Sequence, residues 1–302
     1  FYPEYKASRS KGDLRKLTIK MLAEAPRLEN DPAAYHELLQ MVRKIAVQTG
    51  DATTALKAVE LLETRLELPP LALRLTTIDE LAGVLGGSGQ GAGQLAAEAE
   101  KVFISAFEQD DFTTSLEAHR IFIGLIRKGS DSGRVGKMSV YRGMILEAEK
   151  AYKLVPAALS ALATNAENTQ ANDVAGKFFC LIKNEWEIGL PMMARGSDLK
   201  LRILARMDLE KGKSGSEIIQ LADQYYELAH DYKQPQRRCL ELRAAFHYAA
   251  ARPFLMPGVE LVKADKRIEE IHRAYAADVL ARSAVPAPAL PTTIPNPKDD
   301  SG

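Results

Sequence analysis

Cysteine is nearly absent from this chain. Its 302 residues include two, Cys180 and Cys239, too few for a disulfide-held scaffold or a multi-cysteine zinc site. A charge excess is missing as well, since 40 Lys and Arg balance 40 Asp and Glu. Dedicated nucleic-acid binders carry a basic surplus or stripe and polybasic membrane anchors need one, so neither class is expected. No apolar run reaches the roughly 18 residues that cross a bilayer. Histidine is sparse: His36, His119, His230, His247 and His272 are scattered, and none stands at metal-ligand spacing from a cysteine. Alternating runs of Val, Ile and Thr, the mark of half-buried strands, are scarce. The chain opens on Phe1 rather than Met, so its start is expected to lie upstream, beyond sight of any signal peptide.

What the chain does have is alanine and leucine, 43 and 37 residues of the strongest helix formers. Apolar residues at 46% and charged ones at 26% are the proportions of a soluble protein with a sizeable core and one or two domains. Asp31-Pro32 opens a helix, with Asp as cap and Pro in the first turn. Ala34, Leu38, Met41, Val42 and Ile45 then recur on one face. Gly50 ends that helix and Asp51 caps the next, whose stripe is Ala55, Val59, Leu62 and Leu66. Pro69-Pro70 breaks it. Further helices are predicted over 71–85, 94–108, 111–127, 134–152, 156–165, 172–183, 185–194, 198–209, 217–231, 236–252 and 260–282.

Short turns between so many helices make sequential neighbours antiparallel. The predicted fold is all-α: stacked antiparallel helical hairpins forming a tetratricopeptide-like α-solenoid, with a globular α bundle as the alternative. The glycine-rich stretch 86–93 reads as a hinge between a first helical segment, 1–85, and a second, 94–282. Residues 283–302 hold Pro286, Pro288, Pro291, Pro295 and Pro297 and read as an extended tail.

Two segments have the form of degenerate tetratricopeptide units, in which a tight turn precedes a small residue that lets two helices approach. One has Gly50-Asp51 and Ala55; the other has Lys183-Asn184 and Gly189, with Gly176 and Phe179 on the preceding helix. Asn184 with Glu187 fits a capping box. A broader likeness lies in the run Ala171-Asn172-Asp173-Val174-Ala175-Gly176-Lys177-Phe178-Phe179-Cys180. It continues through Lys183-Asn184-Glu185-Trp186-Glu187-Ile188-Gly189-Leu190-Pro191 to Ala194-Arg195-Gly196-Ser197-Asp198. This run resembles a segment of large helical-repeat proteins of planctomycetes, of uncharacterised function. The segments 222–229 and 243–249 resemble their next two helices, with Tyr225-Tyr226 where tryptophans are usual, and 31–55 resembles their opening repeat. The resemblance implies export, to the periplasm or the cell exterior, and no enzymatic chemistry in the helical part.

Candidate sites each meet a plain alternative. Gly86 to Gly93 lacks the Lys and Ser or Thr of a phosphate loop, and Gly129 to Lys137 ends in Met138, so both read as connectors. Cys180, between Phe179 and Leu181, reads as a buried thiol, although export would permit pairing with Cys239. His247 reads as a packing histidine, and no Gly-x-Ser-x-Gly elbow occurs. Asp110-Asp111, Glu269-Glu270 and Asp299-Asp300 read as solvated surface, because adjacent helical residues diverge by about 100°. No catalytic residue, cofactor or metal is expected.

One cluster remains. Trp186, Tyr225, Tyr226, Tyr232 and Tyr248 gather in the C-terminal half, flanked by Lys183, Arg195, Arg237 and Arg238. Packing between hairpins is the plain explanation; an aromatic groove for a peptide or glycan is the functional one. The partner-binding candidates are Lys183, Trp186, Arg195, Tyr225, Tyr226 and Arg237. The expected function is a non-enzymatic helical-repeat scaffold or protein-interaction module, with a protein or peptide partner. The alternative is an α/α helical protein that binds or acts on carbohydrate with its aromatic residues as platforms.

Overall fold

Helix is the sole regular structure among the described residues, which are 1–66, 70–86, 90–128, 135–136, 138–276 and 280 of a computed structural model. The chain divides into two units, Phe1–Tyr152 and Lys153–Gly302.

The first unit holds α1 (Tyr2–Ala7), α2 (Lys11–Glu24), α3 (Pro32–Thr49), α4 (Ala52–Leu66), α5 (Pro70–Val84), α6 (Gln90–Glu108), α7 (Phe112–Lys128) and α8 (Val140–Tyr152). Sequence reading found no helix before Asp31. The reason is the narrow apolar stripe of α2, which buries only Leu17, Thr18 and Met21. Its start is nonetheless sharply cut by a capping box: Asp13 N–H donates to Ser10 Oγ at 3.1 Å and Ser10 N–H to Asp13 Oδ2 at 3.1 Å. Asp31 caps α3 as expected, accepting from Ala34 N–H at 3.0 Å. Leu38, Val42 and Ile45 of that helix are buried, but Met41, at the stripe's edge, is exposed.

Two turns in this unit are built alike. Gly50 has φ +70°, Asp51 N–H bonds back to Ala46 C=O at 2.8 Å, and Asp51 caps α4 through Thr54 N–H at 3.1 Å. Sixty residues on, Asp110 has φ +61°, Asp111 N–H bonds to Ala106 C=O at 2.9 Å, and Asp111 caps α7 through Thr114 N–H at 3.0 Å. Asp110-Asp111 is a left-handed turn followed by a helix cap, with Asp111 exposed to solvent and Asp110 half-buried. The small residue four places after each cap, Ala55 or Ser115, is fully buried. The α3–α4 and α6–α7 pairs are the most extensive packings in the unit, and α3 also reaches α5, as α5 reaches α7. Gln90 to Gly93, expected within the hinge, is the first turn of α6, inside this unit; residues 87–89 lie outside the described set.

In the second unit follow α9 (Val155–Thr164), α10 (Thr169–Lys177), a π-helical turn (Phe178–Ile182), α11 (Trp186–Met193), α12 (Leu199–Leu209), α13 (Gly215–Ala229), α14 (Gln236–Ala251) and α15 (Val259–Tyr275). Each packs chiefly on its chain neighbour, α13 on α14 most extensively. The helix predicted over 172–183 instead widens at Phe178, where Lys183 N–H reaches the Phe178 carbonyl at 3.0 Å. The expected capping box at Asn184 is corrected too. Asn184 sits at φ +60° and its Oδ1 accepts from Trp186 Nε1–H at 2.7 Å, so its side chain serves the indole rather than the helix start. The close approach expected at Gly189 is present: a Cβ there would lie 2.5 Å from Cys180 Sγ and 2.8 Å from Cys180 N. Gly176 is equally tight, 2.6 Å from Met193 N.

The tail 283–302, the Asp299-Asp300 pair and the 129–134 connector lie outside the described residues. Among those described, no helix is long and apolar enough to cross a membrane.

Candidate functional site

Asp208, at the end of α12, is a carboxylate with 3% of its side chain exposed. Left bare, such a group would be costly to bury. Four donors converge on it instead. Arg243 of α14 grips both oxygens, Nη2 to Oδ1 at 2.7 Å and Nε to Oδ2 at 2.8 Å. Tyr225 of α13 donates its hydroxyl at 2.8 Å and His247 of α14 its Nε2 at 3.0 Å. Arg243 and His247 are one helical turn apart and reach one point because α14 turns that face toward α12.

A second layer fixes the donors. The His247 ring stacks on Tyr225 with 5.7 Å between centroids and a 4° tilt. The Arg243 guanidinium lies 5.1 Å from the Trp186 ring and 4.7 Å from that of Phe246. Trp186 meets Tyr225 edge-on at 5.4 Å.

Burial works against the charge on Asp208, but the hydrogen bonds of His247 and Arg243 and the guanidinium's charge outweigh it and hold the carboxyl well below the usual range. His247 is lowered too: burial holds it below the ordinary imidazole value, despite the carboxylate beside it. At neutral pH the centre is thus an ionised Asp208 and Arg243 with a neutral histidine. Tyr225 is raised well above its usual value by burial and by Asp208. Cys180 is a buried thiol outside any disulfide, pushed up by burial, and Cys239 is a buried thiol that donates to the Ile182 carbonyl at 3.9 Å. Chemically this arrangement holds helices: the carboxylate's lone pairs are taken by four fixed donors.

An open cleft of about 600 Å³ lies on the other side of α14, among α13, α14 and α15. Its walls are Tyr226, Tyr232, Gln234, Arg237, Glu241 and Tyr275. Arg237 Nε donates to Glu241 Oε1 at 2.8 Å, and the Tyr275 hydroxyl donates to Glu241 Oε2. Gln234 Nε2 bonds the Tyr275 oxygen at 3.2 Å, while Gln234 Oε1 is buried with no hydrogen-bond partner among the described residues. Arg267 stacks 4.1 Å from the Tyr226 ring and donates to its hydroxyl at 2.8 Å. The volume falls within the span of ligand-binding pockets.

The structure separates the sequence-derived candidates. Trp186 and Tyr225 are buried in the Asp208 centre, at 6% and 0% exposure. Tyr226 and Arg237 meet in the open cleft, joined by Tyr232. Arg195 stands apart near Glu167 at 3.7 Å, and Lys183 ends the π turn. Tyr248 is buried and donates to Asp223 at 2.5 Å, and Arg238 is buried too. Sequence reading missed Asp208, Arg243, Glu241 and Tyr275. Arg243 and His247 at four-residue spacing were the one local signal, whereas Asp208 is 35 residues from its guanidinium. Among the described residues, no group of His, Cys, Asp and Glu could hold a metal ion.

No family model matches the chain, and no curated protein or solved structure is significantly similar to it.

Proposed function

We propose that the chain is a non-enzymatic helical-repeat module, acting outside the cytoplasm, that binds a peptide segment of a partner protein in the cleft among α13, α14 and α15. The observation that carries this reading is the cleft itself: three tyrosines and a guanidinium around one open volume of about 600 Å³. Phenol rings give contact area at small entropic cost, and their hydroxyls, with Arg237, can bond a peptide backbone. Sequential helix packing, with contacts to the helix two places on in the first unit, supports stacked hairpins, whose surfaces suit partners. Of the aromatic residues that the carbohydrate reading uses as platforms, Trp186 and Tyr225 are buried, Trp186 beneath Arg243.

Peptide display against the 302-residue chain tests this. Selected peptides should bind the wild type and lose tenfold or more in affinity to Arg237→Ala and to Tyr232→Ala. Binding that both variants leave unchanged refutes the assignment of the cleft.

A further inference from the structure

The opposite flank of α13 carries a second and chemically different groove. It has a volume of about 480 Å³ and lies between α12 and α13. Ile203, Leu204 and Leu228 form its floor. Leu204 and Leu228 are buried, but Ile203 is 48% exposed, an apolar side chain left half in water. Along the α13 side runs a row of carboxylates: Asp223, Glu227 one turn later, and Asp231 just past the helix end.

Like charges four residues apart weaken a helix, so this row needs cations nearby. Among the described residues, cations pair with it at its two ends. Lys263 pairs with Asp223 at 2.6 Å, and Lys200 pairs with Asp231 at 3.2 Å. The middle carboxylate, Glu227, has no ion pair or side-chain hydrogen bond among the described residues. It is exposed beside the apolar floor. Lys200 is 74% exposed on its side chain, so its pair is weak and open to exchange.

From this we infer that the α12–α13 groove binds a basic amphipathic helix of another polypeptide. The partner sets an apolar side chain on Ile203 and Leu228 and a Lys or Arg on Glu227. Basic residues one turn apart repeat at about 6 Å along a helix, the axial spacing of Asp223 and Glu227 on α13. The unmatched charge and the half-wet isoleucine are answered by one occupant of that chemistry. The groove is independent of the tyrosine cleft, and Arg237 has no part in it.

The test is fluorescence anisotropy with three labelled 14-residue probes: an amphipathic Leu–Lys helix, the same pattern in Leu–Glu, and an unpatterned Lys–Ser peptide. The full chain should bind the Leu–Lys probe at 50 mM salt and at least tenfold more weakly at 300 mM. It should bind the other two at least tenfold more weakly at 50 mM. Glu227→Lys should weaken Leu–Lys binding at least fivefold, and Ile203→Ser should do so independently. Both sites are exposed enough that circular dichroism should show unchanged folding. Arg237→Ala should leave this binding as it is, so that failure here and failure of the tyrosine cleft are told apart. Equal binding of the Leu–Glu probe, or Leu–Lys affinity indifferent to both groove variants, would overturn the proposal.

Discussion

At the scale of single residues, the account turns on Asp208. A carboxylate that accepts four hydrogen bonds in a buried place is held by its partners and in turn holds them. Asp208→Asn keeps the shape but removes the charge that balances Arg243, whose side chain is 15% exposed. Breaking such a pair costs about 3 kcal/mol or more. Urea unfolding should show a loss of that order; a loss under about 1 kcal/mol would mean that the network adds little. The pH dependence of this centre follows from its two depressed values. His247 titrates lower in the folded state than in the unfolded chain, where its value is about 6.5. As pH falls below about 6.5 the unfolded chain takes up this proton first, so stability drops. Asp208, also depressed, adds a second loss as pH falls below its unfolded value of about 4. Stability contributed by both is therefore complete above neutral pH and lost in two acid steps. His247→Gln should shrink the upper step, leaving the part that comes from His119, which burial also lowers; an upper step left unchanged would assign the titration elsewhere. None of this was legible in the sequence. Arg243 and His247 are neighbours on one helix, but nothing local to Asp208 marks it as their partner.

At the scale of elements, glycine separates what packing demands from what it merely tolerates. Gly189 and Gly176 stand where α11 and α10 meet, and any side chain there would strike backbone. Gly189→Leu should cost about 1–3 kcal/mol or more by overpacking. Gly83, inside α5, faces open space within 4 Å. Gly83→Ala should raise stability by about 0.5–1 kcal/mol through helix propensity alone. Thermal melts of the two variants should therefore move in opposite directions; a shared direction would mean that one of the two environments differs from that described. The requirement at Gly189 could be read from the sequence, because a small residue after a tight turn implies close helices. The means of turning could not. Asn184 takes a left-handed conformation and gives its side chain to Trp186, and the π turn before it sets the register. Both depend on contacts made only after the helices dock. The same holds for Asp110, where a second left-handed turn repeats the geometry of Gly50 with a residue that carries a Cβ.

At the scale of the whole molecule, periodicity and caps were enough to show an all-helical chain with neighbour-on-neighbour packing. They were not enough to place its division. The glycine-rich stretch drew attention as a joint, yet contacts place the division at 152/153, within a Tyr-Lys-Leu-Val sequence without Gly or Pro. Glycine content reports backbone freedom, whereas a unit is defined by which side chains share a core. The aromatic cluster was seen as a set but not as two sets, because neighbouring Tyr225 and Tyr226 leave α13 about 100° apart, one into the Asp208 centre and one into the cleft. The reading that follows, a fixed centre carrying an open binding surface, is tested most directly by amide hydrogen exchange on the full chain, with and without the tightest display-selected peptide. Protection is expected to rise at 226–241 and 270–275 and to stay constant around 208 and 247. Protection that rises around 208 and 247 while the cleft stays unchanged would contradict it.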